Sequence, residues 1–230
     1  MTTFLLLHGA CHDGWCWTRI SEALRALGHE SVAPDLPVED TNAGLDEYAA
    51  VALGALDRAA SEVVVVGHSL GALTAAVVAS RLPSARRLVF VAGIVGMPGK
   101  ALSELADVDV DRDLPMGEDA IEADDRGRFR FTEAGARELL YHDCPDDLAA
   151  EATGHLRFQR SLWTEVAPFD AWPSCETASV VCGDDRVVNP EWSRRIARER
   201  LGIEPTEIPG GHSPMLARPA ALTAALTAGL

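Results

Sequence analysis

The sequence predicts an α/β fold: a mostly parallel sheet of about six strands, helices on both faces, and a partly helical insertion that reads equally as a solvated segment or as a lid over a site. Three observations carry that expectation. Short apolar runs alternate with helical periodicity through roughly the first hundred residues and resume near residue 178. The run at residues 63–66 is valine throughout, the pattern of a strand buried on both faces of a parallel sheet. Between Gly93 and about Pro173 the alternation breaks, which marks an insertion.

The elements follow in order. Residues 4–7 form an apolar run that ends in His8-Gly9. Trp17, Ile20, Leu24 and Leu27 then share one helical face, closed by Gly28. Residues 30–33 read as a strand stopped by Pro34, and Leu45, Tyr48, Ala49, Ala52, Leu53 and Leu56 give the i, i+3, i+4 stripe of a second helix. After the valine strand, residues 70–79 are almost wholly apolar or small, so that helix should be buried all round. Residues 88–92, 178–182 and 205–208 read as further strands, with a helix near 191–199 and a last one from about Pro214. Within the insertion, residues 104–125 carry ten acidic side chains against the single basic Arg112, and the remainder is helix-like and aromatic, with Phe129, Phe131, Tyr141, Phe158 and Trp163.

Composition narrows the function. The 230 residues fit one domain, and 47% hydrophobic with 24% charged residues is ordinary for a packed core and wrong for disorder. A formal charge of −15 excludes nucleic acid or an anionic membrane as the expected partner, because phosphates would be repelled. Residues 4–7 are too few for a signal or membrane segment, and no run approaches the ~18 apolar residues a span needs. Five cysteines (11, 16, 144, 175 and 182) form an odd, scattered set without a C-x-x-C pair. They predict reduced thiols in a cytoplasmic protein.

Gly67-His68-Ser69-Leu70-Gly71 follows the valine strand directly and opens the buried helix. A sharp strand-to-helix turn exposes a serine oxygen above the sheet, and its cramped geometry leaves no room for side chains at the flanking glycines. Ser69 is therefore the candidate nucleophile. The N–H of Leu70 would face a developing oxyanion, reinforced by the positive end of the following helix. A serine needs a histidine to take its proton and a carboxylate to orient that histidine. His212, in the loop Gly210-Gly211-His212-Ser213-Pro214 after the last strand, is the candidate base. The acid comes from Gly183-Asp184-Asp185 at the end of the preceding strand, where both aspartates compete.

Taken together these residues resemble the α/β-hydrolase family, in particular its branch of small bacterial esterases, plant methylesterases and hydroxynitrile lyases. The most specific stretch is Leu7-His8-Gly9-Ala10-Cys11-His12-Asp13-Gly14-Trp15-Cys16-Trp17, similar to that branch's H-G-x-x-H-G-x-W-x-W pattern. Asp13 stands where the pattern has glycine, a change at the pocket mouth. The resemblance implies an α/β-hydrolase fold for residues 1–230 as one domain, with residues 93–173 as lid; Tyr141-His-Asp-Cys-Pro is similar to part of the branch's cap. It implies a second oxyanion N–H from Ala10, and it selects Asp185 over Asp184, because the family's acid immediately precedes a basic residue and an apolar pair, here Arg186-Val187-Val188. Gly9, His12 and Trp163 are the expected pocket residues.

The expected activity is hydrolysis of a small, largely uncharged carboxylic ester through an acyl-enzyme, with no cofactor. The partner is the small-molecule substrate, with no nucleic acid and no membrane, and a homodimer is compatible with the sequence. His8, Cys11, His12 and Cys16 can also be read as a zinc cluster, but His8 belongs to the oxyanion turn and Cys16 to a core helix, so no metal is expected. In hydroxynitrile lyases of the resembling branch a threonine and a lysine stand where this chain has Gly9 and Ser213, which disfavours that activity. A thioesterase or amidase would use the same triad. A non-catalytic ligand-binding receptor would keep the fold, and rapid single-site labelling by a fluorophosphonate separates it from an enzyme.

Overall fold

A computed structural model describes residues 1–105 and 119–230. Its central sheet draws on β1 (Thr3–Leu7), β2 (Glu30–Val32), β3 (Val63–His68) and β4 (Ala85–Val91); a separate hairpin pairs β5 (Ile121–Ala123) with β6 (Phe129–Phe131); β7 (Glu176–Cys182) and β8 (Thr206–Ile208) complete the sheet. The six strands lie in the order β2-β1-β3-β4-β7-β8, and every pairing is parallel. This is the fold class that the sequence predicts, with six strands near the expected places.

Side chains alternate across the sheet because successive Cβ atoms point to opposite faces. Phe4, Leu6, Val64, Val66, Val89 and Val91 enter one core. Leu5, Leu7, Val63, Val65, Leu88 and Phe90 enter the other. Each such side chain contributes about 1.5–3 kcal/mol when fully buried, which is why the strands read as unbroken apolar runs.

The first core is covered by α1 (Thr18–Ala26), the second by α2 (Leu45–Gly54) and α3 (Gly71–Arg81), whose residues 71–79 are all buried as expected. Within the insertion, α4 (Glu133–Gly135) continues as a π-helical turn, Ala136–Leu140, and α5 (Asp146–Gly154) follows. Near the end of the chain come α6 (Pro190–Leu201), α7 (Pro214–Ala217) and α8 (Pro219–Thr227). Asn189 caps α6 by accepting from Glu191 and Trp192, and Gly202 ends it at φ +68°.

Four local readings differ from the sequence expectation. Leu27, placed on the buried face of the first helix, is 58% exposed, because that helix ends at Ala26. Cys16 is buried but belongs to a 3₁₀ turn, Gly14–Trp17, capped by the Asp13 carboxylate. Phe129 and Phe131 lie on β6, not on a helix, since Gly127 at φ +72° closes a hairpin between them and β5. The last helix breaks in two at Arg218, ahead of Pro219, which lacks an N–H to continue the ladder. Residues 106–118 of the acidic stretch lie outside the described residues.

Candidate active site

The serine sits where β3 turns into α3. Ser69 has φ +50°, a left-handed conformation that costs a non-glycine residue about 1–3 kcal/mol. Its backbone is tied to the adjoining strand and loop: its N–H donates to Val91 (3.0 Å), and its carbonyl accepts from Ala72 (3.1 Å) and Ile94 (3.0 Å). The flanking glycines are imposed by contact. A Cβ on Gly71 would stand 2.3 Å from the His8 carbonyl oxygen, and one on Gly67 would stand 2.6 Å from Ala75 Cβ. The loop at His8–Ala10 also passes close, since a Cβ on Gly9 would lie 2.9 Å from Ser69 Cβ.

His212 is 1% exposed and lies in the loop between β8 and α7. Its Nδ1 is 3.0 Å from Oδ1 and 2.9 Å from Oδ2 of Asp185. Asp185 is buried at the end of β7, and its Oδ1 also accepts from the N–H groups of Val187 (2.7 Å) and Val188 (2.9 Å). A carboxylate only accepts, so Nδ1 carries the imidazole hydrogen and Nε2 keeps a lone pair. Asp184 is exposed and points elsewhere: its Oδ2 accepts from Gly210 N–H (3.2 Å), and its own N–H donates to the Gly210 carbonyl (3.0 Å). The structure brings His212 to Asp185, not to Asp184. No hydrogen bond joins Ser69 Oγ to His212 among the described residues; such bonds are commonly long before substrate binds.

His68 links the two loops. Its Nε2–H donates to the His212 carbonyl (2.8 Å), and the two rings pack with centroids 4.7 Å apart. Burial holds its pKa well below the usual histidine range, so the ring is neutral. Its Nδ1 has no partner among the described residues.

Ala10 and Leu70 flank the elbow, both part-exposed, and neither backbone N–H is bonded within the described residues. The loop carrying Ala10 is held by two more neutral histidines, whose pKa values burial lowers to about 4. His8 accepts the Leu36 N–H at Nε2 (3.0 Å), so its Nδ1–H donates to the Gly9 carbonyl (3.0 Å). His12 has Nδ1 at 2.7 Å from the Ala10 carbonyl and Nε2 at 2.9 Å from the Tyr141 hydroxyl. Both nitrogens of each ring are thereby occupied, and neither is open to a metal. Burial also raises the Cys11 thiol to about 12 and Cys16 well above its usual value, which keeps both protonated. Among the described residues no cluster of three or more His, Cys, Asp or Glu is arranged to hold a metal ion.

A narrow cavity is lined by Ala10, Leu70, Tyr48, Thr74, Gln159 and Leu162 among others. Gly9 also lines it; His12 does not, being 4% exposed and engaged at both nitrogens. Trp163 is 39% exposed and is not on the cavity wall, where its neighbour Leu162 stands instead. Sequence reasoning passed over Tyr48 and Gln159. Tyr48 was hidden in an apolar helical stripe, and Gln159, 1% exposed and donating to the Tyr48 hydroxyl (3.1 Å), carries no motif.

Comparison with known proteins identifies the family. The family described as the alpha/beta hydrolase family matches residues 4–226. An esterase from Oryza sativa subsp. japonica, PIR7B, is 35% identical over 125 residues, an alignment covering 50% of this chain and 47% of that protein, so the match spans about half its length. Methyl jasmonate esterase 1 from Vitis vinifera is 27% identical over 247 aligned positions, covering 97% of this chain and 94% of that one. A pyrethroid hydrolase from Sphingobium faniae JZ-2 superposes with a TM-score of 0.79 at 22% identity, covering 98% of this chain and 95% of the other, a likeness of fold. No helix among the described residues is long and apolar enough to cross a membrane.

Proposed function

This chain belongs to the alpha/beta hydrolase family, and from that premise we propose that it hydrolyses a small, largely uncharged carboxylic ester through an acyl-enzyme on Ser69. The reading rests above all on one observation: a buried His212–Asp185 pair, joined at 2.9 Å, is tied through the His212 carbonyl to His68, the residue before a serine held at φ +50° on a strand-to-helix elbow. Ser69 Oγ attacks the ester carbonyl while Nε2 of His212 takes its proton. The carbonyl oxygen becomes an oxyanion, stabilised by the N–H groups of Ala10 and Leu70 and by the positive end of α3. The tetrahedral adduct collapses, and the alcohol leaves with the proton from His212. Water then adds to the acyl-enzyme by the same route in reverse, releasing the acid and restoring Ser69. Asp185 holds the imidazole in its working tautomer and stabilises the imidazolium between the two proton transfers.

The character of the substrate follows from the cavity. Leu36, Val38 and Leu162 on its wall favour an uncharged one. The insertion at 93–173 acts as a lid on the single domain. Three contacts support this: Arg157 N–H donates to the Cys11 carbonyl (2.7 Å), Arg160 N–H donates to the Val38 carbonyl (2.8 Å), and Trp15 stacks on His155 at 4.2 Å.

A series of chromogenic esters of increasing acyl length, with Ser69→Ala as control, tests the proposal. Hydrolysis should fall by up to ~10⁶ in the variant. More than a few per cent of activity in a clean, folded Ser69→Ala preparation would refute it.

A further inference from the structure

Two chain segments far apart in sequence meet at His12. The ring is 4% exposed, and one nitrogen faces the Ala10 carbonyl while the other faces Tyr141, 129 positions further along. The direction of each bond is fixed by elementary chemistry. A carbonyl can only accept, so the hydrogen of the neutral ring is on Nδ1. Nε2 is then a bare lone pair, and the Tyr141 hydroxyl must donate to it. Burial keeps Tyr141 from ionising, so that donor is always present. The chain of bonds therefore runs one way, from Tyr141 O–H to His12 Nε2 and from His12 Nδ1–H to the Ala10 carbonyl.

The consequence falls on the Ala10 peptide. The Gly9 carbonyl accepts from the His8 ring (3.0 Å) and from the His12 N–H (3.4 Å). In a planar trans peptide the N–H opposes the carbonyl, so anchoring the Gly9 oxygen aims the Ala10 N–H the other way. Anchoring the Ala10 oxygen fixes the next plane as well. That second anchor is needed, because Cys11 is held at φ +62°, a conformation costing about 1–3 kcal/mol unless its surroundings enforce it.

We infer that His12 is a positioning residue for the oxyanion hole, clamping the Ala10 peptide, and that Tyr141 extends this clamp into the 93–173 insertion. The inference rests on the reading of Ala10 as an oxyanion donor. His12 touches no reacting atom; it acts through the Ala10 backbone. The same clamp makes the π-helical turn of the insertion part of the catalytic framework, since Tyr141 caps the turn Ala136–Leu140.

The test compares His12→Leu, His12→Asn and Tyr141→Phe. An asparagine amide can put an N–H near the place of Nδ1–H, whereas leucine cannot. Three quantities are read on each folded variant: kcat and KM for a short chromogenic ester, and Ki for a trifluoromethyl ketone, whose adduct with the serine carries a negative oxygen. His12→Leu should lower kcat by ~10² and raise Ki in similar proportion, with KM within about threefold, the effect of misaiming one oxyanion donor. His12→Asn should recover most of the loss. Tyr141→Phe should weaken kcat and Ki together by about threefold to tenfold. If His12→Leu does not fold, the other two variants carry the test. Unchanged kcat and Ki in Tyr141→Phe, or an asparagine variant as defective as the leucine one, would overturn the inference. A wild-type enzyme with Ser69-dependent hydrolysis but insensitive His12 variants would overturn this inference alone. Absence of any Ser69-dependent hydrolysis would remove the reading beneath it, and the inference with it.

Discussion

Asp185 engages Nδ1 of His212 with both carboxylate oxygens, at 3.0 and 2.9 Å, while the N–H groups of Val187 and Val188 hold Oδ1 from the chain that follows. The neighbouring Asp184 shares the same turn yet faces Gly210. Asp185→Asn keeps the shape but removes the charge that stabilises an imidazolium, so kcat should fall by about 10⁴, or about 5.5 kcal/mol. Asp184→Asn should cost about tenfold or less. Steady-state kinetics on both variants, each first shown folded by circular dichroism, decide between the two. Reversal of the order would place the acid one residue earlier.

His68 should matter through its donor nitrogen. His68→Leu leaves the His212 carbonyl without its partner, a loss of about 1–3 kcal/mol in stability for a buried acceptor. It also frees the backbone that aims the imidazole, so kcat should drop more than KM rises. His68→Gln can present an amide N–H to the same carbonyl and should restore much of both. Melting curves and kinetics on the pair check this, and equal defects in leucine and glutamine variants would contradict it.

Acid should weaken the fold by way of the buried histidines. His8 and His12 fall from an ordinary value of 6.5 to about 4. Between those values the unfolded chain binds a proton on each ring that the folded chain excludes, so stability is full above pH 6.5 and declines as pH falls toward 4. The slope is about 1.4 kcal/mol per pH unit for each ring. Urea midpoints at pH 7, 6 and 5 should fall accordingly, and His12→Asn should show a shallower fall by about one proton. Parallel pH slopes for wild type and variant would contradict the assignment.

Much of this was legible in the sequence for identifiable reasons. Valines at 63–66 have only one stable use, and a serine between glycines at the end of such a run constrains its own backbone. The order of Ser69, Asp185 and His212 along the chain follows the order of the strands that carry them. What the sequence concealed depends on three-dimensional closeness. Nothing local to His12 indicates that Tyr141 will reach it, and nothing local to Gln159 indicates Tyr48. The β5–β6 hairpin is hard to read because Phe129 and Phe131 sit in a helix-like aromatic stretch, although the alternation Phe-Arg-Phe beyond Gly127 is a strand's period. Trp163 is an expected pocket residue, whereas its neighbour Leu162 lines the cavity.

Cavity shape should set acyl preference. Leu162→Ala enlarges the cavity that Ala10 and Leu70 also line and should shift the optimum toward longer acyl chains, with little change in the rate for acetyl esters. Trp163→Ala, at a more exposed position, should shift it less. The ratio of kcat/KM values across the ester series measures both effects. An unchanged ratio in Leu162→Ala would remove the cavity from the acyl side of the site.

The central claim is that Ser69 is the nucleophile, and covalent labelling tests it most directly. Wild-type protein treated with a fluorophosphonate should gain one adduct by intact mass, in step with loss of esterase activity, and peptide mapping should place it on Ser69. Ser69→Ala should gain none, and Asp185→Asn should label far more slowly. An adduct on another residue, or undiminished labelling of Ser69→Ala, would contradict the account.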